Sequence, residues 1–230
     1  QWFGWRTTFA GIGAIAFVIF LLQMKLLPTL PSMFNGSFRK IPELLKNPLL
    51  VCLYLFCFVA FTADYAAYSY IEPFMSKIGA ISENLVTFIL LLFGCAGLIG
   101  SVIFRRYNDR SNTMLMLISM VLILASMVTM LWAVTSIWLL SLNTLVWGAA
   151  MILLMLCIQS KVIEIDVNAQ DMVMAMFSGI INLGIGAGAL IGGYAVTHIS
   201  LSSVGFVGAA IAAAALLLMI YMIKRFPELN

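Results

Sequence analysis

Residues 48–71 read PLLVCLYLFCFVAFTADYAAYSYI, an apolar run that holds a single charged side chain, Asp64. A helix needs about 20 predominantly apolar residues to cross the hydrocarbon core of a bilayer, so this stretch is predicted to be a transmembrane helix. The same criterion, applied outward along the chain, gives seven candidate spans: 8–27, 48–71, 85–104, 114–134, 137–159, 172–197 and 204–223.

The composition agrees with a chain that lies mostly in lipid. Of the 230 residues, 63% are hydrophobic and 9% are charged, whereas about a quarter of the residues of a soluble domain are charged. So few charges cannot cover a water-facing surface. We therefore expect an all-α integral membrane protein of about seven transmembrane helices, with the lipid bilayer as a partner. The net charge of +3 is small and gives no indication of nucleic-acid binding.

The four cysteines all fall inside apolar runs, with no CxxC spacing and no histidine nearby. Cysteines in such positions usually act as small buried hydrophobic residues. We therefore predict no disulfide, no metal site and no cofactor.

The basic residues divide unequally between the two sides of the predicted bundle. Lys and Arg favour the cytoplasmic side of a membrane, and all but Arg6 and Lys77 of the 12 lie in connections on one side. The C-terminus and the loops at 28–46, 105–113 and 160–171 are therefore predicted to be cytoplasmic. Tryptophans favour membrane interfaces, and four are then placed at the outer one: Trp2, Trp5, Trp132 and Trp138.

The longest connection divides the chain into two parts. Residues 28–46 are basic and rich in turn formers, and they separate a first helix in 1–27 from a six-helix unit in 47–230. The chain starts at Gln1, and Arg6 precedes a run long enough to span, which is not the pattern of a cleaved signal peptide. We expect the start to be truncated.

Asp64 is the most informative residue, because a carboxylate near the centre of a transmembrane helix costs at least ~2.5 kcal/mol. Such a group should face a wet cavity or a partner. Apolar surroundings favour its neutral, protonated form, which suits a role in proton binding and release. Tyr68 and Glu72 follow at i+4 and i+8 and are predicted to share its helix face. The alternatives are a structural hydrogen-bonded Asp64 and an interfacial Glu72 that ends the helix.

Two pairs of polar side chains are candidates for a solute path. Asn143 and Trp147 lie four residues apart, and an amide beside an indole on one helix face could bind a sugar. Ser178 and Asn182 form a similar pair in the sixth predicted span. The alternative for both pairs is ordinary packing with hydrogen bonds between or within helices.

Glycines spaced by four residues predict close helix contacts. Gly184, Gly188 and Gly192 form a small-xxx-small stripe of the kind that lets two transmembrane helices approach. Gly94, Gly97 and Gly100 form a weaker one. The GxGxxG-like strings here follow no strand, so a dinucleotide site is rejected.

Several longer strings resemble a known family. A Trp5-Arg6 start, a Leu-Leu-Pro-x-Leu-Pro exit, a basic linker and then six helices are similar to the major facilitator superfamily from its sixth helix onward. Three strings are similar to its bacterial sugar efflux transporters, the arabinose and thiogalactoside exporters: Ala67-Tyr-Ser-Tyr-Ile-Glu-Pro-Phe74, Gly100-Ser-Val-Ile-Phe104 and Phe177-Ser-Gly-Ile-Ile-Asn-Leu-Gly-Ile-Gly-Ala-Gly-Ala-Leu-Ile-Gly192.

The resemblance implies proton-coupled sugar export across a bacterial inner membrane by alternating access, with the solute cavity between two six-helix halves. Here 1–27 would be the last helix of the N-terminal half, and the rest of that half would be a missing partner. The loop at 105–110 resembles a degenerate copy of the superfamily's Gly-x-x-x-Asp-Arg motif. Asp109 and Arg110 match it, but Arg105 occupies the position of the Gly.

Two other classes of protein are alternatives to a transporter. A seven-helix receptor or sensor would fit the helix count and orientation, but a retinal-type sensor needs a Lys in its last span, and 204–223 contains none. An intramembrane enzyme would need a cluster of catalytic side chains. The chain has one His and no paired carboxylates within its spans, so an enzyme is not expected.

Overall fold

The structure is a computed structural model that describes residues 5–26, 41–166 and 169–229. Its contacts separate two compact units, residues 1–35 and 36–230. All regular elements in the described ranges are helical. The α-helices are α1 Trp5–Leu26, α2 Ile41–Leu44, α3 Pro48–Tyr68, α4 Ile71–Pro73, α5 Glu83–Ala133, α6 Ile137–Ile165, α7 Gln170–His198 and α8 Val204–Arg225.

The first unit contains α1, which corresponds to the predicted span 8–27. Within this helix of 22 residues, the 18 residues Phe9–Leu26 are long and apolar enough to cross a membrane, and Lys25 lies in the last turn. Most of the predicted linker 28–46 lies outside the described residues. Its final part contains the short helix α2.

Helix α3 begins with a well-defined cap and ends earlier than predicted. The Asn47 side chain accepts hydrogen bonds from the backbone N–H groups of Leu49 and Leu50, at 3.0 and 3.2 Å. The helix ends at Tyr68 and not at residue 71. Pro73 explains the break, because it lacks the N–H that would bond the carbonyl of Ser69 and its ring crowds that carbonyl. After the short helix α4, a π-helical turn spans Phe74–Ile78.

Helix α5 contains two of the predicted spans. At about 1.5 Å per residue its 51 residues would extend ~76 Å, more than twice the ~30 Å hydrocarbon core. The backbone leaves helical geometry at Ser111, with φ −160° and ψ 41°. We call residues 83–110 helix α5a and residues 112–133 helix α5b. The predicted loop 105–113 is therefore helical except at Ser111.

Contacts with α6 show that α5 folds back on itself. In α5a, Gly97 faces Ile152 and Asn108 donates to Ser160, so this segment runs parallel to α6. In α5b, Asn112 donates to the carbonyl of Cys157, while Ser126 accepts from Asn143, so this segment runs antiparallel. Six described helical segments are apolar and long enough to span, and because α5 contains two of the predicted spans, they account for all seven.

The connection predicted at 160–171 is shorter than expected. Helix α6 continues to Ile165 and α7 begins at Gln170. Both helices therefore extend beyond their apolar runs. The ends of the apolar runs mark where lipid contact ends, whereas backbone hydrogen bonding continues into the polar residues that follow.

Helix α3 lies at the centre of the second unit, where small residues bring its neighbours close. Gly208 of α8 faces Ala63 and Ala67 of α3. Gly205, also in α8, packs on Met127 and Met130 of α5b. In lipid no hydrophobic driving force brings helices together, so the van der Waals packing of such close contacts stabilises their association.

Basic residues from several helices gather at one end of the second unit. Lys46 and Arg225 line one cavity of about 670 Å³. Lys161 lines a second cavity of about 310 Å³ with Asn47 and Leu229. Thr113, just after the α5 break, donates to the carbonyl of Leu229. The start of α3, the break in α5 and the ends of α6 and α8 therefore share one side, as the charge pattern predicts.

Candidate functional site

Asp64 lies in the interior of the second unit, on the last two turns of α3. Its side chain is 2% exposed, and it takes part in no ion pair among the described residues. This position lies deep in the bundle, because the nearby residues Ala63 and Ala66 pack against glycines of α8 and α7. A charge in such a position requires a hydrogen-bond donor in place of water.

Trp147 of α6 provides that donor. Its indole Nε1–H donates to Oδ1 of Asp64 at 2.7 Å, and the tryptophan itself is fully buried. Among the described residues, no other hydrogen bond reaches the Asp64 carboxyl group. Both residues are candidates in the sequence, but with different roles, and their contact with each other was not predicted.

Aromatic rings surround this hydrogen bond on one side. Tyr68, one turn after Asp64, lies edge-on to Trp147 with ring centroids 6.4 Å apart. Phe93 of α5a contacts both rings, at 4.9 Å from Tyr68 and 5.6 Å from Trp147. Tyr65 lies edge-on to Tyr68 at 5.6 Å. We call Tyr65, Tyr68, Phe93 and Trp147 the aromatic cluster.

Phe93 was missed by sequence reasoning. It is one of 16 phenylalanines, and nothing in the apolar run of 85–104 distinguishes it. Its position beside Tyr68 and Trp147 depends on the close crossing of α5a and α6. There Gly148 leaves room for the backbone of Phe93, because any side chain at that position would overlap its carbonyl oxygen.

Asn143 lies away from the aromatic cluster, in contrast to the prediction that it shares a surface with Trp147. Its side-chain amide donates to the carbonyl of Ser126 at 3.1 Å, and its oxygen accepts from the Thr129 hydroxyl at 3.2 Å. Both partners lie on α5b, whereas Trp147 points to α3. Asn143 lines a mostly apolar groove of about 410 Å³ between α5b and α6, with Trp132 among its other residues.

Asn182 and Glu72 are both exposed and lie outside the aromatic cluster. Asn182 donates to the carbonyl of Ser178 at 2.8 Å within α7, on a face that Ser178 shares. Glu72 lies in α4, beyond the break at Ser69 and Tyr70. The helical face predicted for Asp64, Tyr68 and Glu72 therefore does not reach Glu72.

The glycine stripe of α7 lies against α3, and the residues of α3 that it contacts are close to Asp64 in sequence. Gly184, Gly188 and Gly192 are buried, and a methyl group on Gly188 would lie 2.5 Å from the carbonyl oxygen of Thr62. Within the same stretch of α7, the carbonyl of Ala189 accepts a hydrogen bond from the Tyr70 hydroxyl at 3.0 Å. Helices α3 and α7 therefore run side by side in backbone contact.

The loop motif predicted at 105–110 is part of α5a. Asp109 and Arg110 are exposed, whereas their neighbour Asn108 is half-buried. Asn108 lies in a chain of hydrogen bonds in which Asn112 donates to it at 2.5 Å and it donates to Ser160 at 3.4 Å. The polar contact between α5a and α6 at this end is thus made by the residue that precedes the motif's Asp-Arg pair.

The arrangement around Asp64 suits proton chemistry more than metal or covalent chemistry. In the described ranges, no group of three His, Cys, Asp or Glu side chains is placed to hold a metal ion. A lone carboxyl with one N–H donor can gain or lose a proton with little rearrangement. The carboxyl and the donor lie on different helices, so a change in its charge also changes the contact between those helices.

Comparison with known families agrees with this architecture. A family model described as Major Facilitator Superfamily matches residues 1–165, well over half of the chain. Together with the helical architecture, this match supports a multi-pass secondary transporter. This multi-pass helical chain therefore belongs to the Major Facilitator Superfamily.

Proposed function

We propose that this chain is the solute- and proton-binding part of a proton-coupled transporter that exports sugars or similar small polar solutes. The supporting observation is the buried Asp64 carboxyl, which has one indole donor and no cationic partner among the described residues. Alternating access would expose it to water on each side in turn. Its affinity for protons would then differ between the two states, and that difference is what couples a proton gradient to solute movement.

The polar groups of the second unit favour an uncharged solute. A charged solute needs a fixed countercharge, and no Lys or Arg lies within the spans of 48–71, 85–104, 114–134, 137–159, 172–197 and 204–223. Hydroxyl and amide groups remain available instead. Tyr68 is half-buried, and Ser178 and Asn182 are exposed on α7. Hydrogen bonds from such groups, together with aromatic contact, are suited to a polyol.

A sugar is the solute class that the resemblance to efflux transporters favours. In this proposal Tyr68 and Asn182 line the solute path, Trp147 lies at its inner wall and Glu72 lies at its outer end. Asn143 contributes by holding α5b against α6. The solute cavity is completed by a second six-helix half, so the chain of 230 residues alone should not transport.

The test of this function is proton-driven solute efflux from vesicles. A chain with both halves of the fold would be reconstituted with a labelled pentose or thiogalactoside inside, and an inward proton gradient would be imposed. We expect solute efflux to accelerate and the vesicle interior to acidify in proportion to the solute moved. The seven-helix chain by itself should give no saturable flux. A rate of solute efflux that is independent of the imposed proton gradient would contradict proton coupling.

We further propose that the end of the second unit where Lys46, Lys161 and Arg225 gather faces the cytoplasm of a bacterial inner membrane. The four native cysteines would be replaced by Ser, and single cysteines placed at Tyr107 and Ser82, both exposed and at opposite ends of α5a. An impermeant thiol reagent added to intact cells should label Ser82→Cys and spare Tyr107→Cys. The reverse pattern would invert the proposed orientation.

A further inference from the structure

The hydrogen bond between Trp147 and Asp64 joins two helices in the middle of the second unit. Both side chains are almost fully buried, and the donor-to-acceptor distance of 2.7 Å is short for a neutral N–H···O bond. A bond to an ionised acceptor is shorter and about twice as strong as a neutral one. The bond between Trp147 and Asp64 would therefore be stronger with an ionised carboxylate than with a protonated carboxyl group.

The indole is held in one orientation. Tyr68 and Phe93 both lie edge-on to it, at 89° and 87° between ring planes. Next to it in sequence, Gly148 lies against the backbone of Phe93, which fixes α6 on α5a at this level. The ring cannot turn away while these contacts last, so the N–H remains directed at Asp64.

We propose that this hydrogen bond is a proton-controlled latch between α3 and α6, in which Trp147 is the positioning residue for Asp64. When Asp64 is ionised, the indole N–H holds the carboxylate in the interior. When Asp64 takes up a proton, the charge-assisted part of the bond is lost and α3 is released from α6. This inference rests on the proposed function for its role in transport, but the latch itself can be tested without transport.

Asp64 is the side chain whose charge changes with pH at this hydrogen bond, because its neighbours carry no ordinarily charged group. The titratable side chains closest to it are Tyr65 and Tyr68, on the same helix. The segments packed around it contribute none of the ordinarily charged side chains, since no Asp, Glu, Lys, Arg or His occurs in 85–104, 137–160, 172–197 or 204–223. Protonation of Asp64 therefore alters the latch with no other ion pair to compensate.

The first test uses the fluorescence of Trp147. In the purified 230-residue chain in detergent, the other four tryptophans (Trp2, Trp5, Trp132 and Trp138) would be replaced by Phe, so that the emission reports on Trp147. We expect the emission to change reversibly with pH. The change should vanish in Asp64→Asn and return in Asp64→Glu. A pH-dependent change that persists in Asp64→Asn, or no change in the parent protein, would overturn the latch.

The second test measures access to the carboxyl group. An apolar carbodiimide reacts with carboxyl groups inside membrane proteins, and modification of Asp64 can be followed by mass spectrometry. Trp147→Phe keeps an aromatic ring but removes the donor. We expect it to react about tenfold faster, the factor that corresponds to loss of one charge-assisted hydrogen bond. Trp138→Phe is the matched control on the same helix, because Trp138 is 82% exposed.

Equal rates in the two variants, each shown by its thermal melt to be folded, would contradict the inference. If Trp147→Phe does not fold, the fluorescence series decides alone, because it leaves Trp147 in place. If both tests succeed while vesicle efflux is independent of the proton gradient, the latch stands and the proposed transport function fails.

Discussion

Asp64→Asn should abolish gradient-driven export while leaving solute binding largely intact. Asn has nearly the same shape and offers a carbonyl oxygen to the Trp147 indole, so the fold should be retained. It cannot take up a proton. For exchange of one proton per solute, each pH unit of gradient supports about a tenfold solute gradient, since one unit corresponds to 1.36 kcal/mol. We expect the Asp64→Asn variant to build no solute gradient.

The measurement needs a control in which the same substitution is made outside the site. Asp171→Asn is suitable, because Asp171 is an exposed residue in the first turn of α7. It should export at the parental rate with the parental pH dependence. Solute affinity would be measured by binding to the purified protein at a fixed pH. Should Asp64→Asn still build a solute gradient like the parent, Asp64 would be structural, and coupling would reside in the other half of the transporter.

The spans could be predicted from the sequence because lipid imposes a simple requirement. A segment must be apolar over about 20 residues to cross, and all of its backbone groups must be bonded within it. That requirement gave the helices, including both halves of α5, with ends off by a few residues. The end of α3 at Tyr68 was not predicted, because the apolar run continues to residue 71 and hydropathy does not register the backbone N–H that Pro73 lacks.

The pairing of Asp64 with Trp147 could not be predicted, because it depends on how helices rotate against each other. Residues 64 and 147 lie on different helices. Sequence periodicity predicts which residues share one face of a helix, but it does not predict which other helix packs against that face. The same limit explains Asn143. Its spacing of four from Trp147 predicts a shared face, yet one side chain reaches α5b and the other reaches α3. Two residues on the same side of a helix can still point into different crevices.

Glycine spacing, in contrast, predicted a contact that the structure describes in detail. The α7 stripe meets α3 along the turns that include Thr62 and Ala66, next to Asp64. The helix that holds the titratable carboxyl is therefore in backbone contact on one side and is tied by a hydrogen bond on the other.

Gly188→Val should strongly destabilise the packing of α7 on α3. The added side chain would meet backbone atoms, 2.5 Å from the Thr62 carbonyl oxygen and 2.9 Å from the Ala66 nitrogen. Backbone cannot move aside as a flexible side chain can, so α7 must separate from α3. Overpacking of this kind costs about 3 kcal/mol or more. We expect a clearly lower unfolding temperature in detergent and a reduced yield of monodisperse protein.

Gly186→Val is the matched control, two residues away on the same helix. A side chain there meets nothing within 4 Å, and Gly186 lies on the exposed face of α7. Val and Gly differ little in helix propensity compared with the expected clash, so Gly186→Val should melt close to the parent protein. If both variants lost stability equally, the cause would be a property of the helix itself. If neither did, α7 would not lie against α3 through this stripe, and the position assigned to Asp64 between α7 and α6 would have to be revised.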